Sequence, residues 1–288
     1  YEWSHADAVA HDTLLQQKQP FLNTTFFTVR FFVYFGLWNL LAWFFLRGSL
    51  RQDQNGDPGL TVRMERVAAP GMILFALSVT LVSFDWIMSL YPHWYSTIFG
   101  VYYFAGCVLG MFSLVSLLVY LLQRAGRLRE AVTVEHYHDL GKMMFAFVVF
   151  WAYIAFSQYM LIWYANVPEE TAWYLVRQTG SWTWLSVVLL FGHFFVPFLW
   201  LLSRHIKRRR GVLALAAVWL LAMHWLDLNY LIMPEASPEG MRFDALDLSC
   251  LLMLGGFLLA ALFWRLGRAP LVPLRDPRLP ESLGLENV

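Results

Sequence analysis

The stretch Ser83–Gly100, SFDWIMSLYPHWYSTIFG, sets one acid (Asp85), one proline (Pro92) and one histidine (His93) among Trp86, Tyr91, Trp94 and Tyr95, between two long apolar runs. It contains no Lys or Arg. Tyr and Trp settle where lipid meets water. An acid at the end of an apolar helix is costly unless a partner, water or a proton satisfies it. The stretch reads as a turn at a membrane surface with a titratable group at its edge, and a plain aromatic-belt turn ended by Asp85 fits it equally well.

Outward from this turn the composition agrees. Of 288 residues 59% are hydrophobic and 18% aromatic, and the mean hydropathy of +0.51 is too high for a soluble domain of this size. A bilayer core about 30 Å thick needs about 20 apolar residues per helix. Seven such runs occur, near Phe26–Leu46, Ala68–Leu90, Thr97–Leu122, Met143–Ala165, Trp182–Ser203, Gly211–Met233 and Leu246–Leu266. The expected fold is an all-α polytopic integral membrane protein. Arg30 lies near the start of the first run, from where its stem can reach the interface. Cys107 and Cys250 sit inside apolar runs without ligand spacing and read as packing residues. A net charge of +1 says little about partners, because the distribution of charge matters more than its sum; no nucleic-acid partner is expected.

Charge placement orients the runs. The connections after the first, third and fifth runs, with the tail after the seventh, hold seventeen of the 21 Lys and Arg. The other side holds only Lys18, Arg30, Arg177 and Arg242. The basic side is expected to be cytoplasmic, with the C-terminus on it and Tyr1 outside. The chain divides into an interfacial segment 1–24, a transmembrane domain 25–266 and a Pro-rich cytoplasmic tail 267–288. Modest amphipathicity (Ala6, Val9, Ala10, Leu14) suggests that the first segment lies on the membrane surface or under a partner. QDQNGDPG, residues 52–59, is turn chemistry, and Pro270, Pro273, Pro277 and Pro280 predict an extended arm. The opening residues lack a signal-peptide pattern, so an upstream part is expected, and with Tyr1 outside, one that starts in the cytoplasm should hold an odd number of helices.

Position along each run converts to depth at about 1.5 Å per residue. His136, His138, Asp139 and Lys142 lie at the cytoplasmic mouth of the fourth run, as a solvated helix start or a proton entry. His193 falls near mid-bilayer on the fifth, as a core histidine or a proton carrier. His224 and Asp227 lie three residues apart on the sixth and share a helical face, so they can form a relay or a bond that fixes packing. Asp85 reaches the outer third. There is no CxxCH, HExxH, P-loop or Rossmann fingerprint. His193 and His224 are the only pair that could hold a haem, at unmatched depths.

Two blocks carry a family resemblance: DWIMSLYPHWYSTIFGVYYFAG (Asp85–Gly106) and HDLGKMMFAFVVFWAYIAFSQYMLIWYANVPEE (His138–Glu170). They resemble the second polysulfide-reductase-type (NrfD-like) membrane subunits, the ActF type, of alternative complex III, the bacterial quinol:cytochrome c oxidoreductase. The resemblance extends from about His11 through the seventh run. It implies two four-helix bundles with additional helices, about three of them upstream of Tyr1, in the bacterial inner membrane. It also implies membrane lipids, a paralogous NrfD-like subunit, a periplasmic iron–sulfur subunit and multihaem cytochrome c subunits as partners, with a terminal oxidase as a further candidate. Haem and iron–sulfur clusters would belong to those partners, and this chain would meet only quinol, menaquinol or ubiquinol.

Three functional readings follow. The first is a scaffold with a proton path from His138 and Asp139 past His193 to His224, Asp227 and Asp85. The second is direct quinol oxidation, with Asp85 and His93 accepting protons and Trp86, Trp94 or Tyr95 flanking the ring. The third is a secondary transporter, for which Pro197, Gly255 and Gly256 are weak hints of broken helices.

Overall fold

A computed structural model describes residues 1–242 and 244–286. Among them the chain is helical without strands, and seven helices are long and apolar enough to cross a membrane. The molecule is an all-α, multi-pass membrane protein. Two short helices, α1 (Ala6–His11) and α2 (Thr13–Lys18), precede the first two spans, α3 (Thr24–Asn55) and α4 (Pro58–Trp86). α5 (Phe99–Arg124) and α6 (Val134–Ala165) follow, then the short α7 (Pro168–Arg177). The fifth span, α8 (Trp182–Leu202), is α-helical over Trp182–Val188, a π-helix over Leu189–Phe195 and α-helical again from Val196. The one-turn α9 (Arg204–Lys207), the spans α10 (Arg210–Ala236) and α11 (Ala245–Leu266), and a terminal α12 (Leu279–Leu283) complete the chain.

Several spans outrun their apolar stretches at the basic end by more than two turns. A helix needs its backbone bonds, not apolar side chains, to continue, and local caps decide where it stops. Asn23 accepts from Phe26 N at 2.8 Å to start α3. Gly56, at φ +68°, ends α3 in the left-handed region that favours glycine. Asp57 then caps α4 through Gly59 N at 2.8 Å, with Pro58 at the first helical position. The turn expected over 52–59 therefore shrinks to Gly56 and Asp57, and Gln52–Asn55 belong to α3.

α5, α6, α8 and α10 enclose the interior. Toward the charge-poor end the core is aromatic, with Phe99, Tyr102, Trp151, Trp173 and Trp182. Toward the basic end it is aliphatic, with Leu109, Met144, Val148, Leu213 and Leu220 all fully buried. α3 and α4 form a hairpin that joins this core through α4 and α5. The approach is close at Gly100, where a Cβ would run into Thr80 Cγ2. α11 buries no residue.

Short segments cover the charge-poor end. The N-terminal segment folds onto the quoted turn. Trp3 Nε1 donates to Ser89 O (3.1 Å), Tyr1 Oη to Trp86 O (2.9 Å) and Lys18 Nζ to Pro92 O (2.5 Å). Trp3, Leu15 and Leu22 make its small core. α7 carries Arg177, fully buried, with its guanidinium on the Tyr230, Leu231 and Trp173 carbonyls at 2.9–3.0 Å.

The tail also departs from expectation. It turns back under the basic end instead of extending away. Backbone N–H groups of Leu274 and Arg275 donate to Asp53, and Arg278 pairs with Glu65 at 2.5 Å. Ser282 of α12 reaches His136 at 3.3 Å. Asp53 accepts two tail N–H groups that lie outside any helix, and Glu65 answers the charge of Arg278. Asn287 and Val288, the end of the 267–288 tail, lie outside the described residues.

Candidate functional site

Asp85 is 1% exposed at the charge-poor end of α4. Arg30 holds it bidentately, Nε to Oδ2 at 2.8 Å and NH2 to Oδ1 at 2.9 Å. Tyr34 Oη adds a third donor at 2.6 Å. Arg30 does not reach outward to the interface as its position suggested. It turns inward, 8% exposed, because a carboxylate in apolar surroundings offers a planar fork more than headgroups do. Its guanidinium is sandwiched by Phe21 and Phe26, 4.0 and 4.2 Å from their ring centroids. The pair is closed, with each carboxylate oxygen already taken.

The other residues of the quoted stretch do not converge on one cavity. His93 is at the surface, its Nε2 2.5 Å from Asp12 Oδ2. That bond, first, and the Leu15 and Leu14 amides hold the Asp12 carboxyl below its ordinary value. Trp94 stacks on Trp173 at 4.7 Å and donates to Glu170 O at 3.1 Å. Trp86 packs against Phe31, Phe35 and Trp38. Tyr95 is 60% exposed, with Lys18 over its ring.

A second group of titratable residues does meet, inside the four-span core. Asp227 of α10 is 2% exposed and accepts from Tyr102 Oη of α5 and, at 3.2 Å, from Trp151 Nε1 of α6. His193 of α8 is fully buried and stacks on Trp151, with centroids 4.0 Å apart. His224 lies along α5 where Gly106 and Gly110 leave room. A Cβ at Gly106 would meet His224 Cε1 at 3.1 Å and Asp227 Oδ2 at 3.6 Å, and one at Gly110 would meet His224 Cδ2 at 3.0 Å. Both ring nitrogens of His193 and Nδ1 of His224 have no partner among the described residues. His224 and Asp227 thus share a helical face, as their spacing predicts, and flank the same glycine. The carboxylate's hydrogen bonds go instead to Tyr102 and Trp151.

The π-helix locates His193. Pro197 has no N–H to return to His193 O, and winding at five residues per bond is one way to accommodate the loss. Trp219 Nε1 takes the Gly192 carbonyl at 2.7 Å. A Cβ at Gly192 would meet Met223 Sδ at 2.7 Å, so α8 and α10 touch here.

His138 and Asp139 stand at the basic end. Asp139 pairs with Lys142 at 2.5 Å, while His138 is 8% exposed with Nδ1 unpartnered. Lys207 packs beside it on Gly141 and gives its Nζ to the Leu201 and Leu202 carbonyls at 2.8 and 3.2 Å. Burial pulls its ammonium below the ordinary lysine value. Along the inward face of α6, Met144 and Val148 separate His138 from Trp151, and Leu109, Leu201, Leu213 and Leu220 complete a dry layer. His138 is about 20 Å from Trp151 along the helix, with this aliphatic layer between.

On its other flank the buried group borders a cavity of about 600 Å³ between α6 and α8. Tyr102 and Trp151 line it, with Tyr159, Tyr174, Phe194 and Tyr230. Reading from sequence missed Tyr102 and Trp151 as partners of Asp227. Their signal is weak, since an aromatic within an apolar run is most often packing.

No family model matches this chain, and a search of curated proteins finds none significantly similar to it.

Proposed function

We propose that this chain is an ActF-type, NrfD-like subunit of a bacterial alternative complex III, set in the inner membrane with its basic end cytoplasmic. In that assembly its own chemistry is proton transfer at Asp227, His224 and His193. One observation carries the reading: three titratable side chains from two spans gather around Trp151 and Gly106, His193 and Asp227 of them buried, and three of their nitrogens lack partners among the described residues. Ionisable groups inside membranes are costly and are seldom retained without a role. Tyr102 and Trp151 orient the carboxylate, and the histidines offer lone pairs and N–H groups to an incoming water. The aliphatic layer toward His138 keeps this group from leaking protons to the basic end, so passage requires water to enter that layer.

The cavity favours a second reading, in which quinol is oxidised here and not at His93. About 600 Å³ is within the range of small-molecule sites, and a quinol hydroxyl beside Tyr102 would be one residue from Asp227. The periplasmic iron–sulfur subunit and the multihaem cytochromes remain the proposed electron acceptors, with the paralogous NrfD-like subunit beside this chain in the assembly.

One experiment separates the two. Asp227→Asn in the assembled complex is expected to lower protons moved per electron while quinol-driven cytochrome reduction stays within about twofold. A large fall in quinol turnover itself would favour the second reading. Unchanged stoichiometry and unchanged turnover would remove Asp227 from both.

A further inference from the structure

The hairpin of α3 and α4 holds a different site at its basic end. Here the two helices border a cleft of about 300 Å³ lined by Trp43, Phe44, Arg47, Arg51, Arg63 and Met64. Arg47 and Arg51 are four residues apart and share one face of α3, and Arg63 joins them from α4. The hairpin is tight at this level, since a Cβ at Gly48 would meet Met64 Sδ at 2.8 Å.

The arginines lie where apolar chain gives way to polar chain. Arg47 is the first charged residue after the Phe26–Leu46 run, and Arg63 comes one turn and a half before Ala68. Arg47 sits 5.0 Å from the ring centroid of Trp43, which is 54% exposed, and Arg63 5.6 Å from that of Phe44. Trp at such a level marks the headgroup region.

The charge of the cleft is not balanced from within. Among the described residues no carboxylate pairs with Arg47, Arg51 or Arg63. The three acids of this stretch are occupied elsewhere. Asp53 accepts from Leu274 N and Arg275 N, Asp57 caps α4, and Glu65 holds Arg278. The returning tail thereby takes two carboxylates that would otherwise be available to the arginines.

We propose that this cleft binds one anionic phospholipid, its phosphate oxygens shared by Arg47, Arg51 and Arg63 and its acyl chains running along Trp43 and Phe44. Guanidinium groups match phosphate bidentately, and basic pockets between transmembrane helices at a membrane surface suit such headgroups. The aromatic and apolar lining, superfluous for a free phosphate ion, favours the lipid. A zwitterionic lipid would leave the three cations unneutralised.

The test is lipid retention by the purified full chain, followed by native mass spectrometry and by titration in nanodiscs of phosphatidylcholine with or without cardiolipin or phosphatidylglycerol. The wild-type protein is expected to keep one anionic lipid. The triple variant R47Q/R51Q/R63Q should bind it roughly a hundredfold more weakly. R124Q/R127Q/R129Q, which removes equal charge from the same end, should bind as wild type. Equal retention by the cleft variant, or equal loss in the control, would overturn the proposal. So would displacement of the lipid by millimolar inorganic phosphate. The triple variant should match the wild-type Tm in phosphatidylcholine alone. If it does not, Arg63→Gln alone carries the comparison, with an expected weakening of about fivefold.

Discussion

At the scale of single residues, Asp85 and Asp227 show why identity and depth do not decide a role. Both are acids on apolar spans, Asp85 at the end of one and Asp227 within another, and both are nearly fully buried. Asp85 has a cation with matching geometry, so its charge is answered within the fold. Asp227 has two neutral donors and two histidines nearby. Arg30→Gln removes one partner of the first pair and leaves a buried carboxylate, which should destabilise the protein by about 3 kcal/mol. Thermal unfolding in detergent would read this, and a Tm equal to wild type would mean that water already screens Asp85. The Asp12–His93 contact makes a pH prediction. Because the folded-state carboxyl lies below its ordinary value, its stabilising effect is fully present above about pH 4 and is lost as pH falls through the folded value. Hydrogen exchange over residues 1–22 should rise in that acid range for the wild type. In Asp12→Asn the exchange should be raised already at neutral pH and lose most of this dependence.

At the scale of elements, spans announce themselves by length and hydropathy, whereas their internal winding does not. Pro197 hints at an irregular fifth span, and the π-helix is how the backbone absorbs it. Trp219→Phe keeps the ring and deletes the donor to Gly192 O. The expected cost is about 1–2 kcal/mol for an unmet buried carbonyl, with a lower Tm and retained membrane insertion. An unchanged Tm would mean that another donor reaches that carbonyl, since its partner in the π-turn would be Pro197, which has no N–H. The Gly106 and Gly110 pair teaches a related lesson. Small residues four apart commonly seat another helix's backbone, yet here they seat the His224 ring. That distinction needs the neighbour's position.

At the scale of the whole molecule, burial is uneven. The four enclosing spans carry the core, the first hairpin leans on it through α4, and α11 buries nothing. The tail ties the basic end together by reaching from α11 back to α3, α4 and α6. Glu65→Gln should loosen that tie, so limited trypsin digestion is expected to cut after Arg268 or Arg275 several times faster, with global Tm changed by under about 1 kcal/mol equivalent because the ion pair is exposed. An unaltered digestion rate would show that the Asp53 contacts hold the tail unaided.

The sequence by itself determined the class of the protein, the number and approximate limits of its spans, and which of its ends is basic. These depend on composition within a window, because each span must satisfy lipid and its own backbone locally. The identity of the deep titratable residues was legible for the same reason, since any ionisable group in an apolar run stands out. Tertiary structure alone decided their partners. Arg30 and Asp85 are 55 residues apart, and Tyr102 and Asp227 are 125 apart. Local periodicity does not set which face of one span meets another. Close packing sets it, through contacts such as Thr80 on Gly100 and Met223 on Gly192.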